Sequence, residues 1–288
     1  MSLLLAARDR LLDSAMGVGR VPPLNTAGAA THSDPAAPPF DFLLDPGEDL
    51  AQQMDYAGLN ASPRFQAYLD ALPGLSGFDP AHLPTHHEQL AFWVNVYNAL
   101  TVHAVLALKV DSSVAEQWFG LAFFRKAAYQ IGGQRVSLDD IEHGILRANR
   151  GHPYLPGRQF AAGDPRLAWV LEPMDPRIHF ALNCASRSCP PIRIYRADQL
   201  DQQLTLASQN YLSSEVKLDE ARRSLHLPAI LRWFAVDFGG PSGVADFVAT
   251  HHSDSQVGRI LTERPSSWKL VHDKFDWSLN RKPGGQAS

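Results

Sequence analysis

Apolar positions along the chain fall mostly into helical stripes separated by loops, with a few short stretches that alternate. The longest stripe runs from about His86 to Leu108, HHEQLAFWVNVYNALTVHAVLAL, and its apolar residues go nearly all the way round. A helix without a polar face has no side to offer solvent, so this one is expected at the centre of the core. Upstream, Leu4, Leu5, Arg8, Leu11 and Leu12 are spaced for a short amphipathic helix within residues 1–18. Residues 19–46, GRVPPLNTAGAATHSDPAAPPFDFLLDP, are rich in Pro, Ala, Gly and Ser and read as an extended arm. A helical pattern resumes from about Glu48, and Asn60 or Ser62 is placed to cap a helix over Arg64–Leu72. That helix would bury Phe65, Tyr68, Leu69 and Leu72.

Shorter signals follow. QIGGQRV predicts a β segment around Gly132-Gly133, and Ser137 with Asp140 forms a capping box that opens a helix over IEHGILR. RQFAAGDPRLAWVLE is mixed. After Pro176, RIHFALNC reads as a buried strand ended by the small polar turn ASRS. Successive side chains on a strand face opposite ways. His179 and Asn183 would then share one face and Cys184 the other, so His179 is not expected to serve Cys184. ADQLDQQLTLASQNYLSS is an amphipathic helix, and VKLDEARRSLHLP is a hairpin with alternating Val216, Leu218, Leu225 and Leu227. LPAILRWFAVDFGG and GVADFVATHHS give two short helices, and WKLVHDKFDWSLN is strand-like. Many helices with a few strands in no regular alternation predict an α+β fold: one domain over 47–288, with its core at about 60–280, behind an arm of residues 1–46.

Composition narrows the partners. Of 288 residues 45% are apolar, the profile of a globular chain able to bury a large core. Twenty-six basic against 30 acidic residues give a net charge of −4. That balance leaves no footprint for nucleic acid and no basic run for an anionic membrane, so a small molecule or a protein is the expected partner. No apolar run approaches the roughly 20 residues needed to cross a bilayer, and the N-terminus lacks a basic n-region. The chain is expected to be cytoplasmic, a mis-assigned start being the way a signal peptide would be missed.

Both cysteines lie in HFALNCASRSCPP, residues 179–191, which makes this segment the centre of interest. A 184–189 bridge would close a short loop and stabilise little, and in a reducing compartment both are free thiols. Thiol catalysis needs a histidine that favours the thiolate and an acid or amide that orients it. His103, His143 and His179 are candidate bases; Glu142, Asn183, Asn95 and Asn98 are candidate orienters. Glu142 and His143 diverge by about 100° on a helix, whereas Asp139, His143 and Arg147 stack one turn apart. The plain reading of that stack is a solvated polar face. His179, Cys184 and Cys189 with a remote His143 also offer the N and S ligands of zinc, although CxxC and HExxH spacings are absent. Asn95 and Asn98 share one face of the apolar helix, and buried amides need partners. They are expected to brace irregular backbone, such as the ASRSCPP loop, ahead of polarising a substrate. Gly132-Gly133 belongs to no phosphate loop, Ser186 and Ser188 to no GxSxG elbow, and the histidines of HLPTHHEQ to an exposed helix start.

Taken together, AFWVNVYNALTVHAVL, SLDDIEHGILR, DPRLAW, DPRIHFALNCASRSCPPIRIY, LPAILRWFAVDFGG and FDWSLN resemble, in order, the family known as domain of unknown function 547. The resemblance implies a single domain. Its motif positions fall on Asn95, Tyr97, Asn98, Glu142, His143, Arg147, His179, Asn183, Cys184, Ser188 and Cys189. It also implies a kinship with papain- or transglutaminase-like thiol enzymes. The activity expected on that basis is a cysteine-dependent hydrolase or acyl transferase for an amide or thioester. Cys184 is its nucleophile, His143 its base, Glu142 or Asn183 its orienter, and Cys189 has a structural or redox part. The rivals are a non-catalytic interaction module held by the same network and a zinc site at His143, His179, Cys184 and Cys189. No cofactor besides that zinc is expected.

Overall fold

The computed structural model describes residues 2–26, 34–43, 53–263 and 267–282. The helical pattern expected from Glu48 lies outside the described residues as far as residue 52, as does part of the 19–46 arm. The fold is α+β, helices outweighing two small sheets. The chain divides into two compact units. Unit 1 takes Met1–Met174, Leu182–Leu200 and Trp277–Ser288, and unit 2 takes Asp175–Ala181 and Asp201–Asp276.

Unit 1 begins with α1 (Ser2–Met16), α2 (Tyr56–Asn60) and α3 (Pro63–Ala71). Asp55 caps α2, accepting from the Gly58 N–H, while the Ser62 side chain makes no capping bond to α3. At the centre lies α4 (His86–Ala107), opened by a reciprocal capping box between Thr85 and Glu88. By length and hydropathy α4 would pass for a membrane span, contrary to expectation, yet 89% of its apolar window is buried within the protein. Its polar residues find partners in the core. The Tyr129 hydroxyl lies 2.9 Å from both the Tyr68 hydroxyl and Nδ1 of His103. Burial without a charge partner brings His103 down to about 4, so this candidate base is a neutral core residue.

After α5 (Leu121–Lys126) come β1 (Ala128–Ile131) and β2 (Gln134–Ser137), paired antiparallel around Gly132-Gly133. Both glycines have positive φ, 53° and 75°, as a two-residue hairpin turn requires. A Cβ on Gly132 would come within 2.9 Å of the Trp169 ring, so the position also needs the missing side chain.

Unit 2 holds most of α6 (Leu200–Glu215), the expected hairpin of β3 (Lys217–Asp219) and β4 (Ser224–Leu227), and then α7 (Ala229–Trp233), α8 (Gly240–His251) and α9 (Ser255–Glu263). The closing β5 (Lys269–His272) pairs parallel to β4. Leu218 opposes Leu225, which puts the alternating apolar residues on one face, and Phe180, Leu225, Leu231, Val248 and Val257 form the core.

Residues 176–180 correct the strand reading. They form a 3-10 turn with Pro176 in its first position, and the Asp175 side chain accepts from the Arg177 N–H. An Asp cap followed by proline is a helical start, and it prevails over a short apolar run. The alternation argument therefore loses its premise. His179 lies in unit 2, with Nε2 2.9 Å from Asp237 Oδ2 and its ring stacked on Phe234 at 4.0 Å.

Candidate functional site

In unit 1 the chain from Ser137 to Gly151 gathers a group of buried ionisable residues, Asp139, Asp140, His143 and Arg147. The capping box forms as expected: Asp140 Oδ2 accepts from the Ser137 N–H and hydroxyl, and the Asp140 N–H donates to Ser137 Oγ. What it opens is not an α-helix. Asp140–Leu146 is a π-helix, and five-residue bonds extend beyond it from Arg147 N–H to Glu142 O and from Asn149 N–H to Gly144 O. Such wide turns are uncommon and recur at functional sites. Gly144 lets this one pack, because a Cβ there would lie 2.3 Å from the Phe160 ring. The turn ends in two left-handed residues, Ala148 and Asn149, and the Asn149 amide holds the Phe160 backbone.

The expected solvated face of Asp139, His143 and Arg147 is buried, because the rest of the unit brings partners to it. Arg125 donates to Asp139 Oδ2 at 3.1 Å, and Gln159 donates to the same oxygen at 2.8 Å. The other oxygen, Oδ1, has no hydrogen-bond partner and lies 3.8 Å from His143 Nε2. Loss of solvent outweighs Arg125 and lifts the Asp139 carboxyl to about 6. Asp140 goes the other way: Arg166 and Ser137 overcome the same burial and hold it below its ordinary value.

Arg147 NH1 lies 3.0 Å from His143 Nδ1 and donates to the Gly151 carbonyl. A guanidinium only donates, so Nδ1 accepts and the neutral ring carries its proton on Nε2, towards Asp139. His152 packs edge-on to His143 with ring centres 4.9 Å apart. Burial, with Arg147 and Arg125 nearby, brings His152 down to about 4. Glu142 looks outward from the same turn: one oxygen accepts from the buried Tyr97 hydroxyl at 2.9 Å, and the other lies 3.8 Å from His143 Nδ1.

Asp139, His143 and His152 place donor atoms within 4.8 Å of one another, a spacing a metal ion could fill. Arg125 and Arg147 already touch two of the three residues. Nε2 of His143 carries a proton where a metal would need a lone pair. The cluster therefore suits proton transfer and hydrogen bonding better than cation binding.

The cysteines form a disulfide, Cys184–Cys189. In this state Cys184 has no nucleophilic thiol, and neither sulfur is the thiolate that the zinc reading required. The remaining members of that set divide between the two units, His143 in unit 1 and His179 in unit 2. Asn183 is a brace, not an orienter: its amide donates to Pro190 O at 2.6 Å and accepts from the Ala185 N–H. Ser188 lies in the same loop, partly buried. The asparagines of α4 act as expected. Asn98 accepts from the Asn183 N–H at 2.8 Å, while Asn95 donates to Tyr195 O and accepts from its N–H.

Sequence reasoning missed Arg125, Gln159 and His152. Arg125 and Gln159 are remote in sequence from the turn they serve, and no local spacing marks them. The capping box was the usable signal, since it fixed where the buried carboxylates begin.

Residues 80–212 match the model of a family described as "Protein of unknown function, DUF547". The span runs from just before α4 into α6 and takes in both the π-helical turn and the disulfide loop. No curated protein and no solved structure matches the chain.

Proposed function

Because the chain is a DUF547 domain-containing protein, and that family is described only as of unknown function, we propose from the site alone that it is a hydrolase of an amide or thioester centred on Glu142 and His143. The carrying observation is Glu142. Its side chain is 16% exposed among otherwise buried ionisable groups, and the Tyr97 phenol fixes one of its oxygens. A carboxylate placed so takes the proton of an attacking water, and the His143 ring beside it is held in one orientation by Arg147. Water adds to the acyl carbon, the C–N or C–S bond breaks, and Glu142 returns the proton to the leaving group. Strongly perturbed buried groups such as Asp139 and His152 are what functional sites collect.

One contact favours a second reading. The Cys184 N–H points at Cys189 Sγ, 3.0 Å away. Once an external dithiol opens the disulfide by two-electron reduction, that N–H supports a thiolate on Cys189. Cys189, and not Cys184, is then the nucleophile of a thiol hydrolase or acyl transferase.

Turnover of chromogenic amides and thioesters, with and without dithiothreitol, separates these readings. The first expects reductant-independent hydrolysis, lowered about 10²–10⁴-fold by Glu142→Gln without a loss of melting temperature. Activity that needs reductant and vanishes in Cys189→Ser replaces it with the second. A chain inert in both redox states refutes both and leaves the network as the scaffold of an interaction module.

A further inference from the structure

On the other side of Asp139 the same unit contains a polar cleft of about 310 Å³, at the lower end of ligand-pocket sizes. Three arginines line it: Arg125 at the end of α5, Arg135 on β2, and Arg166. Two of them are satisfied. Arg125 pairs with Asp13 at 2.8 Å and Asp139 at 3.1 Å, and Arg166 pairs with Asp140 at 2.9 Å and Asp164 at 2.8 Å. Arg135 differs. One of its nitrogens, NH2, caps α5 by donating to the Arg125 and Lys126 carbonyls at 2.7 and 3.2 Å. Its Nε and NH1 have no partner among the described residues, and no carboxylate lies within ion-pair distance.

Burial lowers the Arg135 guanidinium from its ordinary value, Asp140 and Asp13 opposing it and Arg125 and Arg166 adding to it, whereas Arg125 and Arg166 are both raised. A half-buried, under-compensated cation beside an open cavity is a place for an anion. The carboxylates of the lining decide which kind. Asp140 and Asp164 are used by Ser137, Gln159 and Arg166. Asp9 and Asp13, one turn apart on α1, each give Oδ1 to Arg125, Asp9 sharing it with Arg8, and their Oδ2 atoms have no partner among the described residues. A phosphate dianion entering this cleft would meet their charge. A ligand carrying an ammonium next to its carboxylate would satisfy both sides at once.

We propose that this cleft binds a small amino-acid zwitterion, free or at a peptide terminus, its carboxylate held by an open donor of Arg135 and its ammonium by the Oδ2 atoms of Asp9 and Asp13. The side-chain amide of Gln134, which has no partner among the described residues, lies in the same lining and completes the polar wall. The inference rests on Arg135 and the α1 rim, not on the hydrolase reading, and stands or falls without it.

Isothermal titration of the full chain tests it with L-alanine, L-alanyl-L-alanine, acetate, methylammonium and inorganic phosphate. A zwitterion should bind at one site, at least tenfold tighter than acetate or methylammonium. Asp13→Asn, at a 40% exposed side chain whose loss spares the core, should weaken it about tenfold. Arg135→Lys keeps a charge but loses the open Nε and NH1 donors and should weaken it more. Binding of phosphate in preference to both zwitterions overturns the proposal, as does zwitterion binding that survives both variants or no binding by any probe.

Discussion

Asn95→Ala asks whether the amide on α4 holds backbone or waits for a substrate. In the native chain Asn95 Nδ2 donates to Tyr195 O at 2.8 Å and the Tyr195 N–H donates to Oδ1 at 2.9 Å, with Asn95 only 5% exposed. Alanine removes both partners and leaves a buried N–H and a buried carbonyl unmet, at about 1–3 kcal/mol each. The expected loss is about 2–6 kcal/mol, which lowers the melting temperature by roughly 5–20 °C in a unit of this size. Asn95→Asp gives an internal control. Its acceptor survives, but a carboxylate would face the Tyr195 carbonyl, so the buried acid stays protonated and donates. Its folded pKa then exceeds the unfolded value of about 3.9, the folded state holds the extra proton, and the variant loses stability as pH rises from about 4. Urea melts by tryptophan fluorescence, with amide exchange read at Tyr195, measure both effects. An alanine variant within about 0.5 kcal/mol of wild type, with exchange at Tyr195 unchanged, refutes the bracing account and returns Asn95 to the candidates for substrate contact.

Two further predictions concern the π-helical turn. Gly144→Ala puts a Cβ 2.3 Å from a Phe160 ring that Asn149 and Arg166 hold in place, so it should cost about 1–3 kcal/mol, and Phe160→Leu should recover most of it in the double mutant. Equal melts for single and double mutants would disprove that clash. For pH, His103 and His152, at about 4, are folded neutral, so the unfolded chain binds more protons below 6.5 and they contribute stability that is lost on acidification. Asp139, at about 6 and facing Arg125, Gln159 and His143 beside Asp140 and Asp9, works against them: its folded form holds a proton between about 4 and 6, so its contribution falls as pH rises. Asp139→Asn should therefore steepen the gain in stability from pH 4 to 6, and a slope unchanged or shallower in urea titrations would contradict the assignment.

Several elements were legible because the physics that makes them is local. The all-round apolar pattern of α4 leaves it no solvent side, the alternation over 216–227 fits a pleat, and Ser137 with Asp140 is a cap by spacing alone. Bracing by Asn95 and Asn98 was legible too, since a buried amide on an apolar helix must find a partner. Residues 176–180 misled because a short apolar run fits a strand as well as a buried turn, although the Asp-Pro start was visible. Nothing in IEHGILR distinguishes a five-residue bond from a four-residue one. The burial of Asp139, His143 and Arg147 depends on Arg125 and Gln159, and the cleft on a meeting of α1 with β2, contacts that no local period records.

The interrupted path of unit 1 has a consequence for the order of events on the ribosome. Residues 277–282 belong to that unit and bridge back to it, Ser278 to Ser113, Leu279 to Ser186 and Arg281 to Met54. The Arg187 N–H bonds the Ser278 carbonyl, and the Asn280 N–H bonds the carbonyl of Ala185, so the loop that carries the cysteines is finished by chain made some ninety residues later. At roughly 5–20 residues per second, that loop waits several seconds for its last partner, while Asp201–Asp276 of unit 2 emerges in between. The two sulfurs thus spend that interval without the backbone bonds that later fence them in.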